Sequence, residues 1–203
     1  MIKIAITGGI GSGKSTLCDA FSRAGTPIYN ADAEAKRLMT EDSKLRDALI
    51  AEFGEQTYNG NDIDRKYLAQ IVFGCDEKLA RLNSIVHPVV MRDFEMWSMM
   101  HSEQSPYVIM ESAILFESGF DKCVDISVAV LAPEELRLQR VVNRDGVSVE
   151  QVRARMVAQL SEEELNKRAN YTVVNIIEGE MDDAAQRLDQ IFKHELFKRQ
   201  NHS

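Results

Sequence analysis

Apolar positions follow two rhythms along this chain, and the switches between them lay out its elements. In Met1-Ile2-Lys3-Ile4-Ala5-Ile6, isoleucine recurs at every second position, the period of a β-strand. From Thr16 to Arg23 the spacing changes, and Leu17, Ala20 and Phe21 share one helical face before Gly25 stops the helix. Thr26-Pro27-Ile28-Tyr29-Asn30 reads as a second short strand, and Ala31 to Met39 as the helix after it. Three further runs have strand character: Tyr107 to Glu111, Asp125 to Leu131 and Tyr171 to Asn175. Between residues 40 and 104 the pattern is helical throughout, and no strand is expected there. It predicts helices over Ser43–Phe53 (closed by Gly54), Asp64–Phe73, Glu77–Ile85 and Pro88–Met100, with turn chemistry at Tyr58-Asn59-Gly60-Asn61-Asp62. Pro133 opens another helix with Glu134 and Glu135 in its first turn, and Asp145-Gly146 breaks it. Ser148-Val149-Glu150-Gln151 is a capping box for the next. Met181 to Phe197 closes the chain as an amphipathic helix, with residues 198–203 expected to fray. Strands separated by helices give an α/β class: a five-stranded parallel sheet flanked by helices, with a helical block inserted.

The first strand and helix are joined by Gly8-Gly9-Ile10-Gly11-Ser12-Gly13-Lys14-Ser15-Thr16, which fits G-x-x-x-x-G-K-[ST]. Gly8, Gly9, Gly11 and Gly13 let the backbone approach an anion closely. Successive N–H groups, Ser12 and Thr16 included, then curl around phosphate, and the following helix points its positive end at the same place. Lys14 adds a point charge for the β- and γ-phosphates, and the Ser15 hydroxyl can ligate Mg²⁺. A strand before and a helix after the motif are the context that makes it a phosphate loop for a nucleotide.

Composition narrows the partners. A chain of 203 residues, 44% hydrophobic and 28% charged, can bury a sizeable core as one domain. Its formal net charge of −8 argues against nucleic acid as a partner, yet permits a local basic pocket for a small polyanion. No apolar run approaches a membrane span, so no membrane partner is expected. Cys18, Cys75 and Cys123 are odd in number and far apart, as in a reduced, cytoplasmic protein. The first residues enter a strand directly, so no signal peptide is expected.

Several residues are candidates for the chemistry. Asp32 stands where a strand ends and a helix begins, on the edge of a parallel sheet that also carries the phosphate loop. It is either a catalytic acid or a first-turn carboxylate favouring the helix dipole. Glu111 ends an apolar strand and could handle a Mg²⁺-bound water, or be a buried hydrogen-bonded acid. Arg65, Lys66, Arg81, His87 and Arg92 could face a phosphorylated substrate, or be solvated surface. Arg137, Arg140, Arg144, Arg153 and Arg155 gather on one helix–turn–helix, either as a lid over phosphates or as a hairpin paired with Glu134, Glu135 and Glu150. Given the phosphate loop, the lid is favoured, with Arg140 its best single candidate. Asn175 falls where a nucleotide base would be read. A GTPase-type switch would call for Asn-Lys-x-Asp, and the nearest string, Asn166-Lys167-Arg168-Ala169, lacks the acid. Another small-molecule kinase, such as one for nucleoside monophosphates, is not separated by the loop and the arginines alone.

Beyond the phosphate loop, a set of runs appears in a particular order: Ala31-Asp32-Ala33, Ile63-Asp64-Arg65 with Ile71-Val72-Phe73, Ile85-Val86-His87-Pro88, Leu115-Phe116-Glu117-Ser118-Gly119, and Arg140 with Asn143-Arg144-Asp145-Gly146. In these the chain resembles the dephospho-coenzyme A kinases. The resemblance implies a P-loop NTP hydrolase-type kinase fold in three parts: a nucleotide-binding core (1–57, 105–136 and 169–203), a helical substrate subdomain (58–104) and a helical lid (137–168). It implies transfer of the γ-phosphoryl group of ATP, with Mg²⁺, to the ribose 3′-hydroxyl of dephospho-coenzyme A. Asp32 then takes the role of general base or hydroxyl orienter. Lys14 and Arg140 offset developing charge, Arg65 and His87 lie on the substrate side, Ser15 and Glu111 at the metal, and Asn175 at the nucleotide. The family usually has Asp where this chain has Glu111, and Pro where it has Ala113. A monomer or weak homo-oligomer is expected.

Overall fold

β1 (Ile2–Thr7) lies at the centre of a five-stranded sheet. β5 (Tyr107–Glu111) and β6 (Ile126–Leu131) flank it, with β2 (Ile28–Asn30) outside β5 and β7 (Tyr171–Val174) outside β6. Every pairing in this sheet is parallel, as the strand–helix alternation predicts. The computed structural model describes residues 1–177 and 179–201. They divide into two compact units, Met1–Asn30 with Trp97–Ser203, and Ala31–Met96.

In the first unit the alternation in β1 becomes packing. Ile2, Ile4 and Ile6 join Tyr107, Ile109, Val128 and Val130 in one buried cluster. Over that face lie α1 (Lys14–Arg23), through Leu17 and Phe21, and α9 (Met181–Asn201), through Leu188 and Phe192. Phe21 stacks on Phe192 at 5.9 Å, and Tyr107 meets Phe192 edge-on at 5.4 Å. The alternate residues Ala5, Val108, Met110 and Ala129 are buried too, so the central strands are covered on both faces. α9 continues past its expected end. Lys198 pairs with Glu195, Arg199 reaches Asp125, and Asn201 donates to the Phe197 carbonyl. These bonds hold Lys198 to Asn201 in the helix. His202 and Ser203, also expected to fray, lie outside the described residues.

Between β6 and β7 run α6 (Glu134–Asp145), α7 (Val149–Val157) and α8 (Glu162–Arg168). Gly146 ends α6 in the left-handed region, and the Ser148/Gln151 capping box starts α7 with both of its bonds made. α8 carries a second capping box, Ser161 with Glu164, that the sequence reading passed over.

The second unit contains α2 (Ala31–Glu41), α3 (Ser43–Phe53), α4 (Arg65–Val72) and most of α5 (Asp76–Met100). Asp42 caps α3 by accepting from Leu45 N, and Asp64 caps α4 by accepting from Tyr67 N. Two features differ from the sequence reading. β3 (Tyr58–Asn59) and β4 (Asp62–Ile63) form an antiparallel hairpin around Gly60-Asn61. Each strand is two residues long, too short for any alternation to register. Arg46 holds the hairpin, lying 4.6 Å over the Tyr58 ring and donating to the Gly60 carbonyl. α5 is one helix of 25 residues with Pro88 inside it, where two helices were expected. Proline removes one helical N–H there. Val86, Val90 and Phe94, four apart and all buried, keep a single apolar stripe running through it.

Candidate active site

The phosphate loop is shaped by what it packs against. Gly13 has φ of 97° and forms the N-cap of α1. A Cβ there would lie 2.0 Å from the Asn175 side-chain nitrogen, so the residue needs both glycine's conformation and its lack of a side chain. Asn175, just past β7, donates that amide to the Ser12 carbonyl at 2.8 Å. Gly11, with φ of 79°, faces the Arg137 carbonyl oxygen, 2.4 Å from where a Cβ would stand. Gly8 and Gly9 are as tightly approached, Gly8 by the Val130 carbonyl and Gly9 by the Arg137 guanidinium. Lys14, Ser15 and Thr16 are then the first three residues of α1. Their N–H groups have no intrahelical partners and lie at the positive end of the helix.

Strand register brings the acid to this loop. Glu111, the last residue of β5, pairs with Ile6 on one side and Asn30 on the other. Its carboxylate is buried, accepting from Ser15 Oγ at 2.5 Å and from Asn30 Nδ2 at 2.9 Å. A hydroxyl and a carboxylate meeting at the phosphate loop are hard oxygen donors suited to a divalent cation that keeps several of its waters. Glu111 also acts on α1 from below. Burial pushes the Cys18 thiol far above its usual range and the Glu111 charge adds to the push, while Lys14 opposes it.

The arginines of α6 and α7 separate by partner. Arg137 donates to the Ala132 carbonyl at 3.0 Å and pairs with Glu162 at 3.1 Å. Arg153 pairs with Glu134 and Glu135, and both Arg144 and Arg155 pair with Asp145. Arg140 turns instead to Asn175, reaching its carbonyl oxygen at 3.3 Å and its Oδ1 at 3.4 Å. A cavity of about 660 Å³ opens here, lined by Gly13, Thr16, Arg140, Asn143, Arg144 and Asn175 among others. The arginines of the hairpin are thus largely tied by carboxylates of α6 and α8, and Arg140, which lines the loop's cavity together with Arg144, is the one that bonds Asn175 instead.

The first unit therefore brings together Gly8, Gly9, Gly11, Ser12, Gly13, Lys14, Ser15, Thr16, Glu111, Arg140 and Asn175. The other three site candidates belong to the second unit. Asp32 is exposed in the first turn of α2, immediately after β2 ends at Asn30. Arg65 is exposed as the first residue of α4, and His87 is half-buried in α5 just before Pro88. Arg81, also in this unit, pairs with Glu52 at 2.8 Å. The sequence reading missed Asn30 and Gln159. Asn30 could have been found from its place beside the acid at the strand ends. Gln159, whose Oε1 accepts from Ile10 N, carries no sequence signal.

Comparison with known proteins gives a consistent result. The sequence model of the family described as dephospho-CoA kinase matches residues 2–182. A dephospho-CoA kinase of Salinibacter ruber is 42% identical over 194 residues, covering 95% of this chain and 96% of that protein. Among solved structures, one from Thermus thermophilus superposes with a TM-score of 0.81 at 36% identity, covering 94% of this chain and 96% of that one. The dephospho-CoA kinase of Campylobacter jejuni superposes with a TM-score of 0.69 at 26% identity, covering 95% of this chain and 98% of that one.

Proposed function

This chain belongs to the dephospho-CoA kinase family, and from that premise we propose how its own residues carry the reaction. It is a kinase that uses ATP to phosphorylate dephospho-CoA in coenzyme A biosynthesis. The oxygen of the ribose 3′-hydroxyl attacks the γ-phosphorus, the bond to the β–γ bridging oxygen breaks, and ADP leaves. Asp32 accepts the hydroxyl proton or aims the oxygen. The amides of Gly11 and of Gly13 to Thr16 hold the phosphates, while the Ser12 N–H, expected among them, is bonded to the Gly9 carbonyl, and Lys14 and Arg140 offset charge on the transferring group. Ser15 and Glu111 would hold Mg²⁺, which supplies charge neutralisation on the phosphate oxygens. Asn175 stands at the nucleotide, with Arg65 and His87 on the acceptor side. The helices from residue 137 to 168 act as a lid, which lessens competition from water for the phosphoryl group.

One observation carries this reading. The loop is tied at once to the end of β5 and to the residue just past β7, through Ser15 to Glu111 and through Ser12 to Asn175, and Arg140 joins it at that second tie. That is a preorganised polyanion site with a place for a hard cation beside it. The test is a phosphoryl-transfer assay with ATP and Mg²⁺ across dephospho-CoA, nucleoside monophosphates, pantothenate and water. Dephospho-CoA should be the preferred acceptor. A higher kcat/KM on a nucleoside monophosphate would overturn the assignment.

A further inference from the structure

The outer half of the phosphate loop is held by a residue with no part in the chemistry described above. Gln159, just past the end of α7, accepts from the Ile10 N–H through Oε1 at 2.8 Å. Through Nε2 it donates to the Ala113 carbonyl at 3.1 Å. Both partners are main-chain groups of fixed polarity, so the orientation of the amide follows from them. One side chain therefore spans the loop apex and the segment that leaves β5 two residues beyond Glu111.

The surroundings reinforce this bridge. The Ile10 side chain packs against the buried cluster of Leu138, Val141 and Val152 that joins α6 to α7. Its N–H goes to Gln159, so the residue is fixed at both ends. The Ser12 N–H is bonded within the loop to the Gly9 carbonyl at 3.0 Å. Next to Gln159, the Leu160 N–H donates to Glu117 at 2.9 Å, which fixes the chain end of the bridge. An amide is the neutral group that donates and accepts at once along one plane. Glutamate cannot donate to Ala113 when ionised, and asparagine is one methylene shorter.

We propose that Gln159 is a positioning residue, whose amide holds the apex of the phosphate loop in register with the β5 exit and so with Glu111. The proposal rests on the kinase reading above. The loop places the triphosphate and the β5 exit places the metal-side carboxylate. An error in their relative placement of about 1 Å costs up to ~10²-fold in rate without removing any contact to substrate. Gln159 is thus expected to act on kcat more than on KM.

The test uses the full chain and Gln159→Met, which keeps length and bulk and removes both hydrogen bonds. In Gln159→Met, kcat should fall about tenfold with KM for ATP and for dephospho-CoA within about twofold of the parent. Residue-resolved amide exchange by NMR, without substrate, should show the Ile10 N–H exchanging about tenfold faster. Should Gln159→Met fail to fold, Gln159→Asn carries the same two readouts. A kcat within twofold of the parent overturns the positioning role, whether or not the melting temperature moves. Unchanged Ile10 exchange overturns the bridge itself. A parent enzyme that transfers no phosphoryl group overturns the kinase reading instead, and the exchange measurement still decides the bridge.

Discussion

Arg140 of α6 reaches both the carbonyl oxygen and the side-chain oxygen of Asn175, and Asn175 in turn donates to the Ser12 carbonyl of the phosphate loop. The three residues come from three separate stretches of the chain. Together they connect the helical hairpin to the loop at the mouth of the same cavity. Asn175 packs so closely on Gly13 that no side chain fits between them. The guanidinium is therefore held at the cavity beside the phosphate loop.

Arg140→Ala should lower kcat by about 10²-fold, the scale of losing a charged contact to a transferring phosphoryl group. Arg155→Ala should change kcat less than twofold, because its exposed partner is Asp145 and surface pairs contribute little. Steady-state kinetics on both variants decides the matter. Equal and small effects would return Arg140 to a structural role in the hairpin.

Sequence could not separate these two arginines. All five on α6 and α7 share one residue type, and only distances to Glu134, Glu135, Asp145, Glu162 and Asn175 tell them apart. The parallel sheet was legible because its strands are runs of apolar, largely β-branched residues, and the phosphate loop because its residue types are each required. The Tyr58–Ile63 hairpin was not, since two-residue strands have no period. Pro88 misled for the opposite reason. It is a strong local signal for a helix boundary, and a buried stripe four residues apart outweighed it. Gln159 and Asn30 are uncharged amides that act through main-chain and neighbouring-strand geometry, which no spacing rule encodes.

Glu111→Gln keeps the shape of the buried acid and removes its charge. Loss of an anionic oxygen donor beside Ser15 should raise the Mg²⁺ concentration for half-maximal activity about tenfold, on the order of one metal ligand's weakening. Titrating activity with Mg²⁺ at fixed ATP reads this directly. A Mg²⁺ requirement equal to the parent's would limit Glu111 to holding Ser15 and Asn30 in place.

Alkaline pH should destabilise the first unit through two buried groups. Burial pushes the Cys18 thiol up, and burial together with the bond to Asp189 pushes the Tyr107 phenol up. In the unfolded chain both ionise near their ordinary values, about 8.5 and 10. Above those values the unfolded state releases protons that the folded state retains, so stability is full below them and falls as pH rises. Urea midpoints from pH 7 to 11 should fall above about 8.5 and more steeply above about 10. Tyr107→Phe should flatten the upper part of that fall. An equally steep fall in this variant would place the alkaline loss elsewhere.

Asp32 stands two residues past Asn30, the end of β2 that donates to Glu111, and it is exposed in the first turn of α2. At a helix start a carboxylate gains a few tenths of a kcal/mol from the dipole, roughly 0.3–1 when exposed. Asparagine keeps the size and hydrogen-bonding ability of that residue. Asp32→Asn should therefore move the melting temperature by little. It does remove the proton acceptor and the negative charge. If Asp32 receives the proton of the acceptor hydroxyl, turnover should fall by about 10²-fold or more, the scale of losing a general base. ATP affinity should be kept or improved, since one negative charge no longer opposes the triphosphate. Calorimetric titration with ATP and a steady-state assay on the same preparation separate these effects. A variant that binds ATP and phosphorylates dephospho-CoA at the parent rate would leave Asp32 as a helix-start carboxylate, and the acceptor hydroxyl would then lose its proton to another base or to water.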